Sequence, residues 1–501
     1  MPPKKVIIIG AGLSGLSAAS YLQMNGFNTE IFEMHSSPGG LCTSWKRKDY
    51  MIDGCIHFMI GSTESESTYP FWNGLIDMKK LDFVYSDQHC SVINGDNTIN
   101  FYSDVDKLEQ ELLQKAPEDK KQIQWLIKGI RKFLKIKFPV EKPVEVMNLM
   151  DKLKAGIMIL PFSIKMINAL KISNKQFAGK LKNPYLRKAF KMIFVGELHL
   201  FSTMLIFVWR HNRQMGYPIG GAVKISTLME SNYLKLGGKI TYNAKVSEII
   251  TENNRAKGIV LEDGQIHAAD IVVSAADGRS TVYDLLHGKF RDKHIIERYE
   301  GSLFETIDKT LYVSIGVNKD FSKEDHKIYF FLKKPIRIDP KTILDYLDLT
   351  HYCYDPTAAP RGKTLFTLMP EALDWEYWKA LRDNDIAEYN KQKERIASSI
   401  IEALDEHYGD IKKNVEMFDV ATPATYIRYT GNWTGGQISW KAKKEITGKS
   451  STWKIKGLEN FYMTGQWTGV SGGLNHVVMM GNHVAQIICK DEKMTFSFNQ
   501  K

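Results

Sequence analysis

Three glycines near the start of the chain have the spacing that binds a diphosphate. Residues 6–9 form a β-branched apolar run that predicts a strand, and Gly10, Gly12 and Gly15 follow it. Gly10 permits a tight turn, Gly12 lets the backbone approach a pyrophosphate, and Gly15 lets the next helix pack closely on the strand. The N-terminus of that helix offers unpaired N–H groups to the phosphates. The predicted contacts of this loop are Gly10, Gly12, Leu13, Ser14 and Gly15.

A second predicted strand ends in an acidic residue. Residues 29–33 form the strand, and Glu33 lies 18 positions after Gly15, where it suits a ribose hydroxyl. Gly39 and Gly40 give another close backbone approach to the phosphates. Because this second glycine pair follows a nucleotide-binding unit at the start of the chain, we predict that the dinucleotide is FAD rather than NAD.

Five further segments extend this pattern into a resemblance. The spacing from Glu33 to Gly39-Gly40 is similar to that of the amine oxidase and phytoene desaturase superfamily of flavoproteins. Residues 50–58 resemble the D-x-G-x-H segment of its retinol saturase branch. The other matching segments are the turn at 217–221, the strand at 269–275, the pair Thr422-Pro423 and the strand at 457–465.

The resemblance implies further cofactor contacts. Gly465 and Gln466 end the strand that reaches the flavin, and Gly473 and Leu474 begin a helix that points its N-terminus at the flavin. Val246, with Ile249 nearby, occupies the position that holds adenine in relatives, although both equally suit an ordinary strand. Leu41 stands where relatives have Arg, and Gln466 where many have Asp, so two polar contacts depart from the common pattern.

The side chain expected to do chemistry is harder to find. No Ser-His-Asp spacing, H-E-x-x-H motif, metal-binding pattern or second G-x-G-x-x-G loop is present in the sequence. The flavin would therefore carry the reaction. His57 is the proposed catalytic residue, with a structural histidine as the alternative. Weaker candidates, each also explained as structural or surface residues, are Glu197, His199, Arg210 and His476.

The pattern of strands and helices predicts an α/β fold with two lobes. A Rossmann-like FAD-binding domain is expected from three separated pieces, and an α+β substrate-binding domain of the amine oxidase and phytoene desaturase type is inserted between them. The predicted FAD-binding pieces are 1–103, 215–290 and 450–495, and the substrate lobe comprises 104–214 and 291–449. Ser103 is expected to cap the first helix of the substrate lobe.

Composition restricts the classes of partner and the cellular compartment that are expected for this protein. The chain has 501 residues, a net charge of +10 and five cysteines without a C-x-x-C pair, which favours a reducing, cytoplasmic compartment. Basic residues are not interleaved with stacking aromatics, so no nucleic-acid partner is expected. The stretch 189–209 is interrupted by charge and is not expected to span a membrane. The insert near 120–175 suits core helices or, alternatively, a basic and apolar surface that binds a membrane peripherally. The sequence does not indicate an oligomeric state.

Three functions fit these features. The leading hypothesis, which the resemblance implies, is an FAD-dependent oxidoreductase acting on carbon–carbon double bonds of an apolar polyene such as a carotenoid or retinoid. Saturation, desaturation and isomerisation all fit, and the saturase-like segment favours saturation. The alternatives are a flavin amine oxidase, for which Trp440, Trp453 and Trp467 could supply aromatic rings, and a non-enzymatic flavin-binding lipid carrier.

Overall fold

The computed structural model describes residues 2–194, 196, 198–301, 304–306, 309–442, 452–469 and 472–498. The N-terminal elements are β1 (Lys5–Ile9), α1 (Leu13–Met24), β2 (Asn28–Phe32), β3 (Ser44–Arg47), β4 (Tyr50–Asp53), β5 (Met59–Ile60), α2 (Tyr69–Asn73), β6 (Phe83–Val84), β7 (Gln88–Asn94) and β8 (Asn97–Tyr102). The central helical elements are α3 (Val105–Lys115), α4 (Lys120–Phe133), α5 (Leu149–Ile159), α6 (Ser163–Leu170), α7 (Asn174–Gly179), α8 (Pro184–Ile193) and α9 (Leu200–His211).

The chain then returns to mixed structure. This part contains β9 (Met215–Pro218), α10 (Gly221–Lys235), β10 (Lys239–Thr241), β11 (Val246–Glu252), β12 (Arg255–Leu261), β13 (Ile266–Ala268), β14 (Ile271–Ser274), α11 (Gly278–Ser280) and α12 (Lys293–Tyr299). The last elements are β15 (Phe304–Thr306), β16 (Tyr312–Val317), β17 (Lys327–Asp339), β18 (Thr342–His351), β19 (Thr364–Leu368), α13 (Trp375–Asn384), α14 (Ile386–Tyr408), β20 (Val415–Ala421), α15 (Pro423–Thr430), β21 (Trp440–Ala442), β22 (Phe461–Met463) and α16 (Leu474–Asp491).

A parallel five-stranded sheet with the order β10-β2-β1-β14-β22 positions the nucleotide motif. The two central strands, β1 and β14, are almost fully buried, which is why they read as continuous apolar runs. Strands distant in sequence meet here, and their carboxyl ends lie at one edge. The α/β fold with a discontinuous Rossmann-like unit is confirmed.

A second sheet of seven strands has the order β20-β16-β19-β18-β17-β7-β8. One face of this sheet packs against α14, in a core that includes Ile328, Phe330, Leu347 and Ile400. The β7–β8 hairpin joins this sheet and not the five-stranded one. The domain boundaries remain a prediction, and this pairing favours moving the hairpin, placed above in the segment 1–103, to the substrate lobe.

The helices between 105 and 211 differ from the expected core helices in one respect. Helix α4 buries Ile123, Ile127 and Phe133 in a helical core and exposes its lysines, as an amphipathic core helix does. Helix α5 buries no residue, and Leu149 and Ile164 are 84% and 79% exposed. The core interpretation is therefore right for α4 and wrong for most of α5–α6.

Helix α3 also corrects a local prediction. Asp104, not Ser103, is the N-cap, because its carboxylate accepts hydrogen bonds from the backbone N–H groups of Asp106 and Lys107. The Ser103 hydroxyl instead donates to the carbonyl of Ser86. Either residue type can cap a helix, and the tertiary contact with residue 86 decided between them.

Candidate functional site

The glycine turn after β1 is shaped by the protein itself at two positions. Gly10 has a φ of 98°, a left-handed conformation that favours glycine. A Cβ on Gly15 would lie 2.0 Å from the carbonyl oxygen of Gly10. Glycine at 15 therefore allows α1 to approach the turn, as its spacing predicted.

Gly12 is different, because nothing in the described protein requires it to be glycine. Its φ and ψ of −63° and 167° suit any residue, and the nearest atom to a Cβ there would be the carbonyl oxygen of Gly39, 4.0 Å away. The missing side chain leaves space at the N-terminus of α1. That space suits a phosphate group approaching the backbone, so the residues present fit a bound dinucleotide.

Glu33 lies directly after β2, at the carboxyl edge of the sheet. It is buried, and its two carboxylate oxygens accept hydrogen bonds from the backbone N–H groups of Ala11 (2.6 Å) and His35 (2.9 Å). The acid therefore touches the glycine turn as well as the loop that follows β2. This position is next to the one a ribose would take beside a diphosphate on Gly12.

The second glycine pair meets the first loop directly. The Gly39 N–H donates to the carbonyl of Ala11 at 2.9 Å, and a Cβ on Gly40 would lie 3.3 Å from the Cα of Gly12. Beside these residues lies a cavity of about 500 Å³, whose lining includes Glu33, Gly40 and Leu41. Leu41 therefore presents an apolar wall at this end of the site.

The C-terminal strand closes the same edge from the other side. The hydroxyls of Ser14 and Thr464 are 2.9 Å apart, and Gly465 has a φ of 101°. Gln466 begins a short 3₁₀ helix and is half-buried. Ser14 and Gly465, which are 451 positions apart, thus meet at the N-terminus of α1.

The remaining predicted cofactor contacts occupy less specific positions. Gly473 is the N-cap of α16, with a φ of 100°, and Leu474 is the first residue of that helix. Val246 and Ile249 are buried in a core that also contains Phe32. The backbone N–H of Ala244 donates to the carbonyl of Glu33, which brings the start of β11 close to the acid.

His57 lies in a buried polar cluster between the two sheets. Its Nδ1 is 2.8 Å from the hydroxyl of Tyr352, and its ring stacks on Tyr312 at a centroid distance of 6.2 Å. Burial lowers the pKa of His57 to about 3, and the charge of Lys327 contributes to this. The ring is therefore neutral at neutral pH and acts as a hydrogen-bond partner, not as a cation.

Asp53 holds the loop that carries His57. Its carboxylate accepts hydrogen bonds from the backbone N–H groups of Cys55, Ile56 and Ala222 at 2.7–2.9 Å. Burial raises the pKa of Asp53 to about 6, against the lowering effect of these three bonds. The D-x-G-x-H segment is thereby tied to the start of α10, where the Y-P-x-G-G turn ends.

The weaker candidates separate in the structure. His199 is the N-cap of α9 without a side-chain cap bond, and Glu197 lies outside the described residues. His476 is at the start of α16, with its buried Nε2 unpaired within the described part of the chain. Arg210 lies near the seven-stranded sheet, where its charge interacts with Cys90 on β7 and Tyr329 on β17. All five cysteines are free, and the described residues contain no cluster that could hold a metal ion.

Comparisons with known proteins agree with this geometry. A family model described as an NAD(P)-binding Rossmann-like domain matches residues 8–75. A lycopene-forming phytoene desaturase from a Paracoccus species is 27% identical, over 97% of this chain and 98% of its own. Prolycopene isomerase 2 of an Oncidium hybrid cultivar is 25% identical, over 90% of this chain and 78% of its own.

Among solved structures, a triple mutant of putrescine oxidase has the same fold. The TM-score is 0.62 at 12% identity, over 98% of this chain and 99% of that one. At this identity the likeness shows the fold alone. The sequence matches, which run along nearly the whole chain, show that the homologues of this protein are phytoene desaturases and prolycopene isomerases.

Proposed function

We propose that this protein is an FAD-dependent oxidoreductase that acts on carbon–carbon double bonds of an apolar polyene. The relatives are named for desaturation and isomerisation of such molecules. The observation that carries the cofactor assignment is the open space at Gly12, between Glu33 and the second glycine pair. Because the named relatives are desaturases and isomerases, the proposal covers desaturation, saturation and isomerisation and does not favour saturation.

The chain's own residues would hold the cofactor and prepare the substrate. Gly12, Leu13 and Ser14 present backbone N–H groups to the diphosphate, and Glu33 faces the ribose. Gly39, Gly40 and Leu41 cover the same groups from the opposite loop, and Gly465, Gln466, Gly473 and Leu474 approach from the C-terminal side. When bound, FAD supplies two-electron chemistry at a carbon–carbon bond.

His57 is the proposed polar residue beside the reacting carbons. Its neutral ring, hydrogen-bonded to Tyr352, can position a substrate or relay a proton between its two nitrogens. The buried loop around Asp53 keeps that ring in place and keeps water away from it. These roles are proposals for the chain's residues and do not depend on the direction of electron flow.

Anaerobic mixing of the purified holoprotein with polyenes tests the function. We expect the flavin absorbance to change when a polyene is oxidised or reduced. If the reaction is an isomerisation, we expect the polyene to isomerise without net consumption of the reduced flavin. If neither oxidised nor reduced protein reacts with any polyene, the proposal is wrong. Binding without any change in the flavin or the polyene would favour the lipid-carrier alternative.

The amine oxidase alternative has weaker support from the aromatic residues. Trp440 and Trp467 are in edge contact at 5.1 Å, but the Trp440 indole N–H donates to the Trp467 carbonyl and Trp453 instead packs near His483. The three rings therefore do not form one cage. Hydrogen peroxide release with amines, and none with polyenes, would reverse our preference.

We also propose that the α5–α6 segment attaches the protein to a membrane surface. Leu149–Leu170 is the one helical segment in the described residues that is long and apolar enough, by length and composition, to cross a membrane, and only 6% of it is buried. Asp151, Lys152, Lys154 and Lys165 recur within it, which favours a position in the interface over a span. The membrane would also supply an apolar substrate.

Flotation with vesicles containing phosphatidylserine tests this attachment. We expect the wild-type protein to float, and Leu149→Glu with Ile164→Glu to reduce the floating fraction at least fivefold. Ile266→Glu, which adds the same charge at a 69% exposed position on β13, is the matched control and should float as the wild type does. Equal flotation of all variants, or of none, would contradict the proposal.

A further inference from the structure

The face of the seven-stranded sheet that looks toward the helical lobe carries many polar residues. In the β17–β18 pair, Tyr329 lies opposite Asp348 and Lys327 lies opposite Thr350. Side chains opposite each other on antiparallel strands share a face. The other face of the same strands, with Ile328 and Leu349, is buried in an apolar core. A face that contacted only hydrocarbon would not need charged and phenolic groups.

Arg210, the last but one residue of α9, is an unpaired cation beside this face. Its Nε is buried without a hydrogen-bond partner, and the titratable groups that act on its charge are Cys90, Tyr354 and Tyr329, none of which is a carboxylate. Burial lowers the pKa of Arg210 to about 10, so the group is still charged at neutral pH. A buried charge without a partner is costly, and proteins retain one mainly where a ligand supplies the counter-charge.

The groups around Arg210 do not neutralise it. Burial, followed by the charge of Arg210, lowers the pKa of His89 far below its ordinary value and that of His326 to about 3. The Nδ1 of His89 is also buried and unpaired within the described residues. Burial raises the pKa of Asp348, an acid on the same face.

A second cation and a tyrosine complete this cluster. Lys327 has no carboxylate within 4 Å in the described part of the chain, and its ammonium group lies 5.5 Å from the centre of the Tyr329 ring. Tyr354 interacts with the charge of Arg210 and lies 6.2 Å, centroid to centroid, from the ring of His326. We refer to Arg210, His89, His326, Lys327 and Tyr354 as the Arg210 cluster.

We propose that the Arg210 cluster binds a carboxylate at one end of the substrate, so that the substrate is a polyene acid and not a plain hydrocarbon. This inference rests on the proposed polyene function. A guanidinium offers paired N–H donors and no acceptor, which matches a carboxylate in geometry and charge, whereas an alcohol would leave the charge uncompensated.

The cluster is connected to His57 by a short row of aromatic rings. Tyr354 lies 6.0 Å from Tyr352, centroid to centroid, and the Tyr352 hydroxyl is 2.8 Å from His57. An end group held at Arg210 would therefore place the first part of the polyene chain beside His57. The reacting double bond is accordingly expected near the acid end of the chain.

Binding of matched retinoids to the full-length holoprotein tests this inference. The probes are all-trans-retinoic acid, all-trans-retinol and the parent hydrocarbon axerophthene, which share one polyene. We expect the wild type to bind the acid at least tenfold more tightly than the other two. Arg210→Met should weaken binding of the acid at least tenfold and change binding of the alcohol and hydrocarbon less than threefold, with Arg210→Lys in between.

The control is Lys191→Met, which removes an exposed cation from the neighbouring helix α8 and should bind all three probes as the wild type does. Equal wild-type affinity for acid and hydrocarbon would overturn the inference even if Arg210→Met failed to fold. So would a folded Arg210→Met protein that keeps its affinity for the acid. Loss of reaction with every polyene would instead count against the proposed function itself.

Discussion

At the scale of single residues, the glycines of the first loop serve different purposes. The protein's own geometry requires glycine at position 10, where φ is positive, and at position 15, where the helix packs closely on the turn. Neither constraint applies at Gly12, where the missing side chain leaves space that a ligand can occupy. Substitutions at these positions should therefore distinguish an effect on cofactor binding from an effect on folding.

We therefore predict that Gly12→Ala folds but does not retain FAD. The apo forms of the variant and the wild type should unfold at the same temperature, because the added Cβ meets no protein atom closer than 4.0 Å. Flavin content of the purified protein and thermal unfolding of the apo form measure the two effects. Gly15→Ala is the contrast and should lose stability as well as FAD. A Gly12→Ala protein with full flavin content would contradict the assignment.

His57 gives a second prediction at this scale. Because its pKa is lowered to about 3, its protonation does not change between pH 5 and 8. The pH profile of kcat should therefore show no inflection from this histidine. His57→Phe should lower kcat about 100- to 10,000-fold, the range typical of a lost proton-transfer group. His57→Gln should recover part of it, since an amide can still bond to Tyr352. Unchanged kcat in His57→Phe would leave the residue with a structural role.

At the scale of elements, the contact between α1 and α16 joins the two ends of the chain. A Cβ on Gly481 would lie 2.5 Å from the carbonyl oxygen of Ser14 and from the Cβ of Ser17. The hydroxyl of Ser17 donates to the carbonyl of Val478. This packing also sets where Gly473 and Leu474 stand relative to the glycine turn.

We predict that Gly481→Ala lowers the free energy of unfolding by about 1–3 kcal/mol, the usual cost of overpacking a tight interface. Weaker FAD retention should accompany it, because α16 must shift away from Ser14. Gly156→Ala on the exposed helix α5, where a Cβ meets nothing within 4 Å, is the control. It should leave stability unchanged or slightly raised. Equal unfolding curves for both variants in urea would show that the helices can separate at no cost.

At the scale of the whole molecule, buried histidines dominate the expected dependence of stability on pH. The pKa is lowered by burial at seven of them, namely His57, His89, His326, His351, His407, His476 and His483. Four of them, His57, His326, His476 and His483, have pKa values of about 3 or 4 in the folded protein, so they are neutral there but protonated in the unfolded chain below about pH 6.5. Fewer groups, all of them carboxyl groups whose pKa is raised by burial, stabilise the folded protein as the pH falls. Among them, burial raises the pKa of Asp53 to about 6 and of Asp277 to about 7.

The free energy of unfolding should consequently fall as the pH is lowered from 7 to 5. Unfolding takes up protons in this window, and each net proton contributes about 1.4 kcal/mol per pH unit. Urea unfolding at the two pH values measures the difference. His483→Gln should reduce the slope, because burial lowers the pKa of His483 to about 4 despite the opposing hydrogen bond to the Val140 carbonyl. Equal or greater stability at pH 5 would show that the carboxyl groups with raised pKa outweigh the histidines with lowered pKa.

The sequence by itself determined the nucleotide-binding unit. This unit consists of a β-branched strand, three glycines, a helix and the acid Glu33. It depends on local backbone sterics and short spacings, which can be recognised from the sequence alone. Local rules were insufficient even for one helix cap, since Ser103 and Asp104 suit that role equally.

Only the tertiary structure decided which surfaces the remaining residues occupy. Apolar residues at 149–170 fit a core by composition, yet Leu149, Ile164 and others among them are exposed in the described part of the structure. Arg210 read as an ordinary structural residue, and its lack of a counter-charge became visible only when α9 was placed against β7 and β17. Burial and pairing depend on contacts between segments hundreds of residues apart. The motif thus determines the nucleotide-binding unit, whereas the surroundings of Arg210 and His57 depend on how distant segments pack together.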